Sequence, residues 1–180
     1  MKKVLITSNQ DKLKEFKTCI PDIEAKSGKD LKEVQGTARE VAIYKALEAD
    51  VGSVVEDTIL TVKGEEIVDI RWKLNSIPTA TPALWTTTLA WNCGDEIKLF
   101  TGIVEGFIDK DKDVPEAFGF DGVFIVKGTG KTLYELGKKK HTKKNSARKQ
   151  AALLLKAEKP AEVIKVSDIP KWTGNYQNEN

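Results

Sequence analysis

Histidine is almost missing from this chain, since His141 is the only one among 180 residues. A Ser-His-Asp triad, a Cys-His pair and a histidine-rich zinc site all need an imidazole. The single histidine lies in a run of lysines rather than among acids or thiols. Any chemistry therefore falls to carboxylates, lysines and a hard cation.

Cysteine and long apolar runs are also scarce. Cys19 and Cys93 are too few and too far apart for a disulfide framework or a zinc site, which favours a reducing cytoplasm as the location. The apolar run at residues 4–6 is too short for the core of a signal peptide. No run is long enough to cross a bilayer, so we expect no membrane partner.

Opposite charges nearly cancel, with 29 Lys and Arg against 27 Asp and Glu, and 40% of the residues are hydrophobic. This balance is typical of a globular domain, and 180 residues can bury a core without disulfide or metal staples. We predict one domain over residues 1–167 and a tail, residues 168–180, outside the core. A basic run at residues 138–149 lacks acids and indicates an anion, or only solvent, as its partner.

Hydrophobic spacing predicts an α/β fold with a mixed sheet flanked by helices, because helices alternate with strands at first and strands dominate the middle. Thr37 and Glu40 have the spacing of a capping box. For residues 64–86 we predict a short helix and a loop, since Pro78 and Pro82 break the pattern. The other predicted elements are strands at residues 4–7, 54–62, 86–92, 97–106 and 122–126, and helices at 11–20, after 37, and from 145 or 146 to 157.

Two adjacent acids, Glu56 and Asp57, end the apolar run of Val54 and Val55. Burying an ionised carboxylate is costly, so the pair is either solvated or next to a metal ion or basic side chains. With Glu33 they make three carboxylates, which would serve as two ligands of Mg²⁺ and one base. The alternative is that all three are surface charges.

Ser8, Asn9 and Gln10 join the first strand to the first helix, where backbone N–H groups and the helix dipole face an incoming anion. Lys12 lies in the first helical turn, where lysine is disfavoured, and a bound phosphate would remove that conflict. The alternative is that Asn9 only caps the helix and Lys12 is solvated.

Aromatic residues and an acid precede the predicted strand at 122–126. Phe118 and Phe120 offer faces that stack on nucleobases, and Asp121 can accept from a ring N–H group. Core packing is the alternative for the two phenylalanines.

Lys144, Ser146 and Arg148 lie at the start of the last predicted helix, which is a second end suited to anions. The alternatives here are a solvated basic loop or a site for RNA.

Five short motifs follow one another in an order typical of a known family. They are T-G-N-x-x-K-x-x-E, E-x-Q-G, E-I-x-x-x-K, V-E-D-T and F-G-[WY]-D-P, with Ser8 in place of the first glycine, Val41 in place of the isoleucine, Phe120 in place of the tryptophan or tyrosine, and Gly122 in place of the proline. The matching residues are Thr7, Asn9, Lys12, Glu15, Glu33, Gln35, Gly36, Glu40, Lys45, Val55, Glu56, Asp57, Thr58, Phe118, Gly119 and Asp121. Over residues 4–155 the chain resembles the inosine triphosphate pyrophosphatase family, the Ham1-like nucleoside triphosphate pyrophosphatases.

The resemblance implies an elongated mixed sheet with two lobes around a central cleft, and a homodimer. It implies hydrolysis of nucleoside triphosphates such as ITP, dITP and XTP to the monophosphate and pyrophosphate. Glu33 and Glu56 would hold Mg²⁺, with Mn²⁺ as an alternative, and Asp57 would activate the attacking water. The substrate-binding residues expected from the motifs and from the two helix starts are Thr7, Ser8, Asn9, Lys12, Lys45, Phe118, Phe120, Asp121, Lys144, Ser146 and Arg148.

Within that set, the resemblance gives Asn9, Lys12 and Lys45 to the triphosphate. Phe118 would stack on the base, and Asp121 would contact its edge.

Three features depart from the family pattern. Residues 63–68 replace its glycine- and proline-rich segment after V-E-D-T, which reshapes the loop near the phosphates. Its S-H-R signature is Ser146-Ala147-Arg148 here, so one base contact is missing and the preferred base stays open. The tail has no counterpart in the family core.

Two alternatives to the main hypothesis stay open. One is the same chemistry on a canonical or modified deoxynucleotide. The other is a protein without catalysis that binds a nucleotide, or RNA through the basic run. We expect a nucleoside triphosphate as the partner, and no nucleic acid.

Overall fold

The computed structural model describes residues 1–28, 31–67 and 70–177. They fall into two compact units. The first unit comprises Met1–Asp57, Thr87–Thr101 and Ala151–Asn180, and the second unit comprises Thr58–Thr86 and Gly102–Gln150. Among the residues described, no helix is long and apolar enough to cross a membrane.

Short strands alternate with helices at the start of the chain, and two long strands form the middle. The elements are β1 (Val4–Ile6), α1 (Gln10–Lys17), β2 (Glu24–Lys26), α2 (Ala38–Glu48), β3 (Ser53–Val62), β4 (Glu65–Ile67), α3 (Ile70–Lys73), β5 (Thr81–Asn92), β6 (Glu96–Ile108), β7 (Phe124–Val126), α4 (Leu133–Leu136), α5 (Ala147–Lys156) and β8 (Glu162–Lys165).

The strands form a mixed sheet in the order β2-β1-β3-β5-β6-β7, with β4 paired to β3 and β8 paired to β6. In the first unit β1 is parallel to both neighbours, so that Val4 lies opposite Glu24 and Ser53. There β8 runs antiparallel to β6, with Ile164 opposite Ile97. The predicted α/β class with a mixed sheet is confirmed.

In the second unit, the pairs are antiparallel. Thr61 of β3 lies opposite Glu66 of β4, and Phe107 of β6 lies opposite Ile125 of β7. This unit has its own core, which includes Leu60, Trp85 and Phe124.

Side-chain caps determine where the first two long helices begin. The carboxamide oxygen of Asn9 accepts from the N–H groups of Asp11 and Lys12, at 2.9 and 3.1 Å. Thr37 accepts from the N–H of Glu40, and the Glu40 carboxylate accepts from the N–H of Thr37. The predicted capping box is therefore confirmed.

Two hydrophobic clusters make up the core of the first unit. One contains Leu5 of β1, Phe16 of α1 and Leu155 of α5. The other brings Ala42 and Ala46 of α2, both fully buried, into contact with strand residues. Small side chains on α2 thus let the helix approach the sheet closely.

Several predicted boundaries are wrong. Strand β5 begins at Thr81 rather than at residue 86, so Pro82 lies inside the strand, one residue from its start. Helix α1 ends at Lys17 instead of residue 20, α5 begins at Ala147, and β7 is limited to Phe124–Val126.

The prediction for residues 64–86 is correct only in part. The short helix is α3, but residues 65–67 form β4 rather than a loop, and residues 68 and 69 lie outside the described residues. Strands β2, β4 and β8 were missed because three or four residues are too few to show a period of two.

Both cysteines are free thiols, as their spacing predicted. Cys19 is buried and Cys93 is half-buried. Burial raises the pKa of the Cys93 thiol, Lys98 opposes this rise, and Glu96 adds to it. The thiol is therefore protonated at neutral pH, which makes it a poor nucleophile.

Asn92 stabilises the C-terminal end of α2. Its buried amide nitrogen donates to the carbonyls of Ala46 and Ala49, at 3.0 and 3.1 Å, and its oxygen accepts from the N–H of Gly94. One side chain thus gives the Ala49 carbonyl a partner and adds a second donor to the Ala46 carbonyl, which also accepts from the N–H of Ala49.

We expect Asn92→Asp to lower the free energy of unfolding by about 2–3 kcal/mol, because a carboxylate would face two carbonyl oxygens in a buried position. Urea unfolding followed by circular dichroism measures the change. The control is Asn75→Asp at an exposed position, for which a change below about 0.5 kcal/mol is expected. Equal stabilities for the two variants would contradict the assigned role of Asn92.

Candidate functional site

The turn between β1 and α1 is closed by its own side chains. The hydroxyl of Thr7 accepts from the N–H of Asn9 at 3.1 Å, and Asn9 accepts from the N–H groups of Asp11 and Lys12. These three amides therefore have partners within the turn. Docking of an anion at this turn stays a prediction.

Lys12 pairs with Glu56. Its ammonium nitrogen lies 3.3 Å from a carboxylate oxygen of Glu56, whose side chain is only 6% exposed. A carboxylate that is this deeply buried needs a cation close by. The alternative that Lys12 is simply solvated is wrong, and so is the alternative that Glu56 is an ordinary surface charge.

Lys45 joins the two predicted metal ligands. From the last turn of α2 its ammonium group donates to the carboxylate of Glu33 at 2.9 Å and to the backbone carbonyl of Glu56 at 3.3 Å. A cation at the C-terminal end of a helix is also favoured by the helix dipole. Lys12, Lys45, Glu33 and Glu56 form what we name the lysine–glutamate cluster of the first unit.

A cavity of about 300 Å³ opens at this cluster. Its volume is at the lower end of the range of small-molecule pockets. The polar residues that line it are Thr7, Ser8, Asn9, Lys12, Lys45 and Glu56, all of which the sequence predicted as site residues.

Asp57 follows Glu56 inside the ten-residue strand β3, in agreement with the strand predicted over residues 54–62. Over residues 1–28, 31–67 and 70–177, no group of three His, Cys, Asp or Glu side chains is arranged to hold a metal ion.

The donor atoms near Lys45 nevertheless fit a hard cation. Mg²⁺ is usually held by one or two protein carboxylates, with water and substrate phosphates completing six oxygen ligands. Glu33 and Glu56 offer two carboxylates that contact neighbouring lysines. Two ligands of this kind are enough, and the third acid is not needed in the coordination sphere.

The aromatic segment lies in the second unit. The ring of Phe118 is 83% exposed. By contrast, Phe120 packs against Trp85 and Phe124, with ring centroids 5.8 and 5.7 Å apart. The alternative of core packing is therefore correct for Phe120, whereas the ring of Phe118 is open to a ligand.

Asp121 has a partner that the sequence did not reveal. Lys140 donates to its carboxylate at 2.7 Å and fixes its position. Lys140 was noted only as part of the basic run, and no spacing pattern links it to an acid nineteen positions earlier.

The start of α5 is partly buried. Ser146 is only 1% exposed. Its hydroxyl accepts a hydrogen bond from the N–H of Lys149 at 3.1 Å, as a helix cap does. Lys144 is exposed and Arg148 half-buried. Ala147 is fully buried, and its carbonyl oxygen lies only 1.9 Å from where a side-chain carbon on Gly102 would be. Gly102 thus has no room for a side chain.

The family profile named Ham1 family matches residues 3–66 and 70–158 of the chain. The chain is 33% identical to an inosine triphosphate pyrophosphatase of Candida albicans, in a match that covers 61% of this chain and 64% of that protein. The chain therefore spans less than two thirds of that relative's length. It is 31% identical to an inosine triphosphate pyrophosphatase of Puccinia graminis, covering 76% of this chain and 85% of that protein.

Among solved structures, the Ham1 protein of Staphylococcus aureus superposes with a TM-score of 0.67 at 24% sequence identity, covering 88% of this chain and 97% of that one. At this identity the likeness shows the fold alone. Because the family profile extends over most of the chain, and the order of motifs agrees with it, this chain belongs to the Ham1 family.

Proposed function

We propose that this protein is a nucleoside triphosphate pyrophosphatase that hydrolyses non-canonical purine nucleotides, such as ITP, dITP and XTP, to the monophosphate and pyrophosphate. Membership of the Ham1 family and relatives named inosine triphosphate pyrophosphatase support the proposal. The observation that carries it is the lysine–glutamate cluster, where two ammonium groups and two carboxylates meet beside a cavity.

Lys12 and Lys45 bind the phosphate chain. Their ammonium groups contact the carboxylates of Glu56 and Glu33 in the structure. A triphosphate carries more negative charge than either carboxylate, so it attracts the ammonium groups more strongly. When the lysines change partner, Glu33 and Glu56 become available as oxygen ligands of a divalent cation.

Glu33 and Glu56 hold Mg²⁺, with Mn²⁺ as an alternative. Their carboxylate oxygens would hold the cation beside the two lysines, and a cation there would supply neutralisation of the charge on the phosphate oxygens.

Asp57 accepts a proton from the attacking water. The water oxygen forms a bond to the α-phosphorus, the bond from this phosphorus to the oxygen that leads to the β-phosphate breaks, and pyrophosphate leaves with that electron pair. The position of Asp57 in the V-E-D-T motif supports this role.

Phe118 and Asp121 are the proposed contacts for the base. Phe118 stacks on the purine through its exposed ring, and Asp121, held by Lys140, accepts from a ring N–H group. Lys144 and Arg148 add positive charge near the start of α5.

A change in base preference is the second candidate, and Ala147 favours it. The family has a histidine at this position that contacts the base. The methyl group of Ala147 is buried and makes no such contact. Canonical and modified deoxynucleotides are therefore substrates to be compared with ITP.

Two further properties belong to the proposal. The resemblance supports a homodimer, which light scattering after gel filtration tests directly. Two free thiols, one of them buried, support a reducing cytoplasm.

A nucleotide panel tests the reaction. We expect ITP, dITP or XTP to yield pyrophosphate and the monophosphate in the presence of Mg²⁺, and EDTA to stop turnover. ATP, GTP and modified deoxynucleotides in the same assay decide the preference. Only orthophosphate as product, or no turnover of any nucleotide, would refute the proposed activity. RNA binding that weakens steeply with salt would then assign function to the basic run.

The base catalyst is tested by Asp57→Asn. Because the amide cannot accept the proton, we expect kcat to fall by roughly 10²–10⁴-fold while ITP still binds. Single-turnover kinetics and calorimetry measure the two effects. The matched control is Asp22→Asn, an exposed acid of the first unit, which keeps full activity. A variant at Asp57 that retains its rate would remove this residue from the mechanism.

Stacking on the base is tested by Phe118→Ala. Loss of one stacked ring costs roughly 1–3 kcal/mol, so we expect KM for ITP to rise about tenfold with little change in kcat. Trp72→Ala is the matched control, since Trp72 is 88% exposed in the same unit. A similar rise in KM for both variants would show a general surface effect instead of stacking.

A further inference from the structure

The tail predicted to lie outside the core is hydrogen-bonded to the E-x-Q-G motif. Val34 and Tyr176 form an antiparallel bridge. The N–H of Gln35 donates to the carbonyl of Asn175, and the N–H of Gln177 donates to the carbonyl of Glu33, both at 2.8 Å. These two bonds fix the backbone on either side of Val34, which is 2% exposed.

The side chain of Gln177 adds a third bond. Its amide nitrogen donates to the carbonyl of Val34 at 3.0 Å. The tail therefore occupies backbone groups of three consecutive residues in a segment that has no regular strand or helix of its own.

An aromatic contact holds the N-terminal part of the tail against α2. Trp172 packs on Tyr44 of α2, with ring centroids 5.1 Å apart, and the hydroxyl of Tyr44 donates to the carbonyl of Pro170 at 2.6 Å. A side-chain carbon on Gly36 would lie 3.1 Å from the ring of Trp172. Because Gly36 has no side chain, the indole ring of Trp172 has room to approach the E-x-Q-G motif.

Residues before the tail and at its start are anchored in the core of the first unit. Ile164, Val166 and Ile169 pack against the cluster that contains Ala42 and Ala46 of α2. The tail thereby starts from a fixed point, and its contacts with the motif are not those of a loose end.

From these contacts we propose that residues 168–177, which we name the strap, position the Glu33 carboxylate for the divalent cation. Glu33 is the residue whose backbone the strap holds and whose carboxylate contacts Lys45. The strap lies beyond residue 158, where the match to the family profile ends. The inference rests on the proposed role of Glu33 as a metal ligand.

Residues that fix a ligand from outside the coordination sphere change metal affinity more than the chemical step. Trp172 and Gln177 are therefore positioning residues, and neither touches the reacting atoms. Their loss should weaken cation binding and leave the rate at saturating cation almost unchanged.

The test compares disruptive and conservative variants of the full chain. Trp172→Ala removes the ring, whereas Trp172→Phe keeps an aromatic face on Tyr44. Gln177→Pro removes the backbone donor to Glu33, whereas Gln177→Ala keeps it and loses only the bond to Val34. Thr173→Ala, at an exposed position of the strap, is the matched control.

Three readouts are measured. Binding of Mn²⁺ alone is followed by the electron paramagnetic resonance signal of free Mn²⁺, hydrogen exchange reports the amide of Gln35, and pyrophosphate release from ITP is recorded against Mg²⁺ concentration. Circular dichroism checks that each variant is folded.

For Trp172→Ala and Gln177→Pro we expect the Kd for Mn²⁺ to rise about tenfold, the Gln35 amide to exchange at least about tenfold faster, and kcat at saturating Mg²⁺ to change less than about twofold. Trp172→Phe should behave as wild type, and Gln177→Ala should raise the Kd about threefold. Should the two disruptive variants fail to fold, the Gln177→Ala result decides.

An unchanged Mn²⁺ affinity in the folded variants would overturn the proposed role of the strap. A wild-type protein that binds no Mn²⁺ would also overturn it. If the wild type binds Mn²⁺ but cleaves no nucleotide, the proposed activity fails, while the Mn²⁺ and exchange data still decide on the strap.

Discussion

A carboxylate as deeply buried as that of Glu56, with 6% of its side chain exposed, is stable only beside a positive charge. Lys12 supplies that charge, and Lys45 ties the same residue to Glu33 through its carbonyl. These contacts link the first turn of α1, the last turn of α2 and the interior of β3. Site geometry in the first unit follows from this charge balance, because moving any one element would leave an ion without its partner.

The same arrangement explains why the E-x-Q-G segment needs support. Glu33 contributes a carboxylate to the lysine–glutamate cluster but lies in a segment without regular secondary structure, so its position is not set by a helix or strand. Thr37 holds the segment on one side through the capping box of α2. The strap holds it on the other side through backbone bonds to Glu33 and Gln35.

The sequence was informative where local chemistry decides. Asn9 and Thr37 are helix caps in the structure because their short polar side chains reach nearby N–H groups. Glu56 and Asp57 were also predicted as site residues because they follow an apolar run, and Lys12 because lysine is disfavoured in a first helical turn, whereas Lys45 was predicted only from the family resemblance. Long-range pairings such as Asp121 with Lys140, or Val34 with Tyr176, left no periodic signal and were missed. Short strands such as β2 and β8 were missed for the same reason.

Lysine partners also bear on how the chain reaches its folded form. Structural zinc proteins are often unfolded until their ion arrives, because the ligands repel one another or stay solvated. Here the acids at the cavity already have ammonium partners within the polypeptide. Newly made chains can therefore fold before any divalent cation binds, because these carboxylates do not depend on an ion from solution for a positive partner.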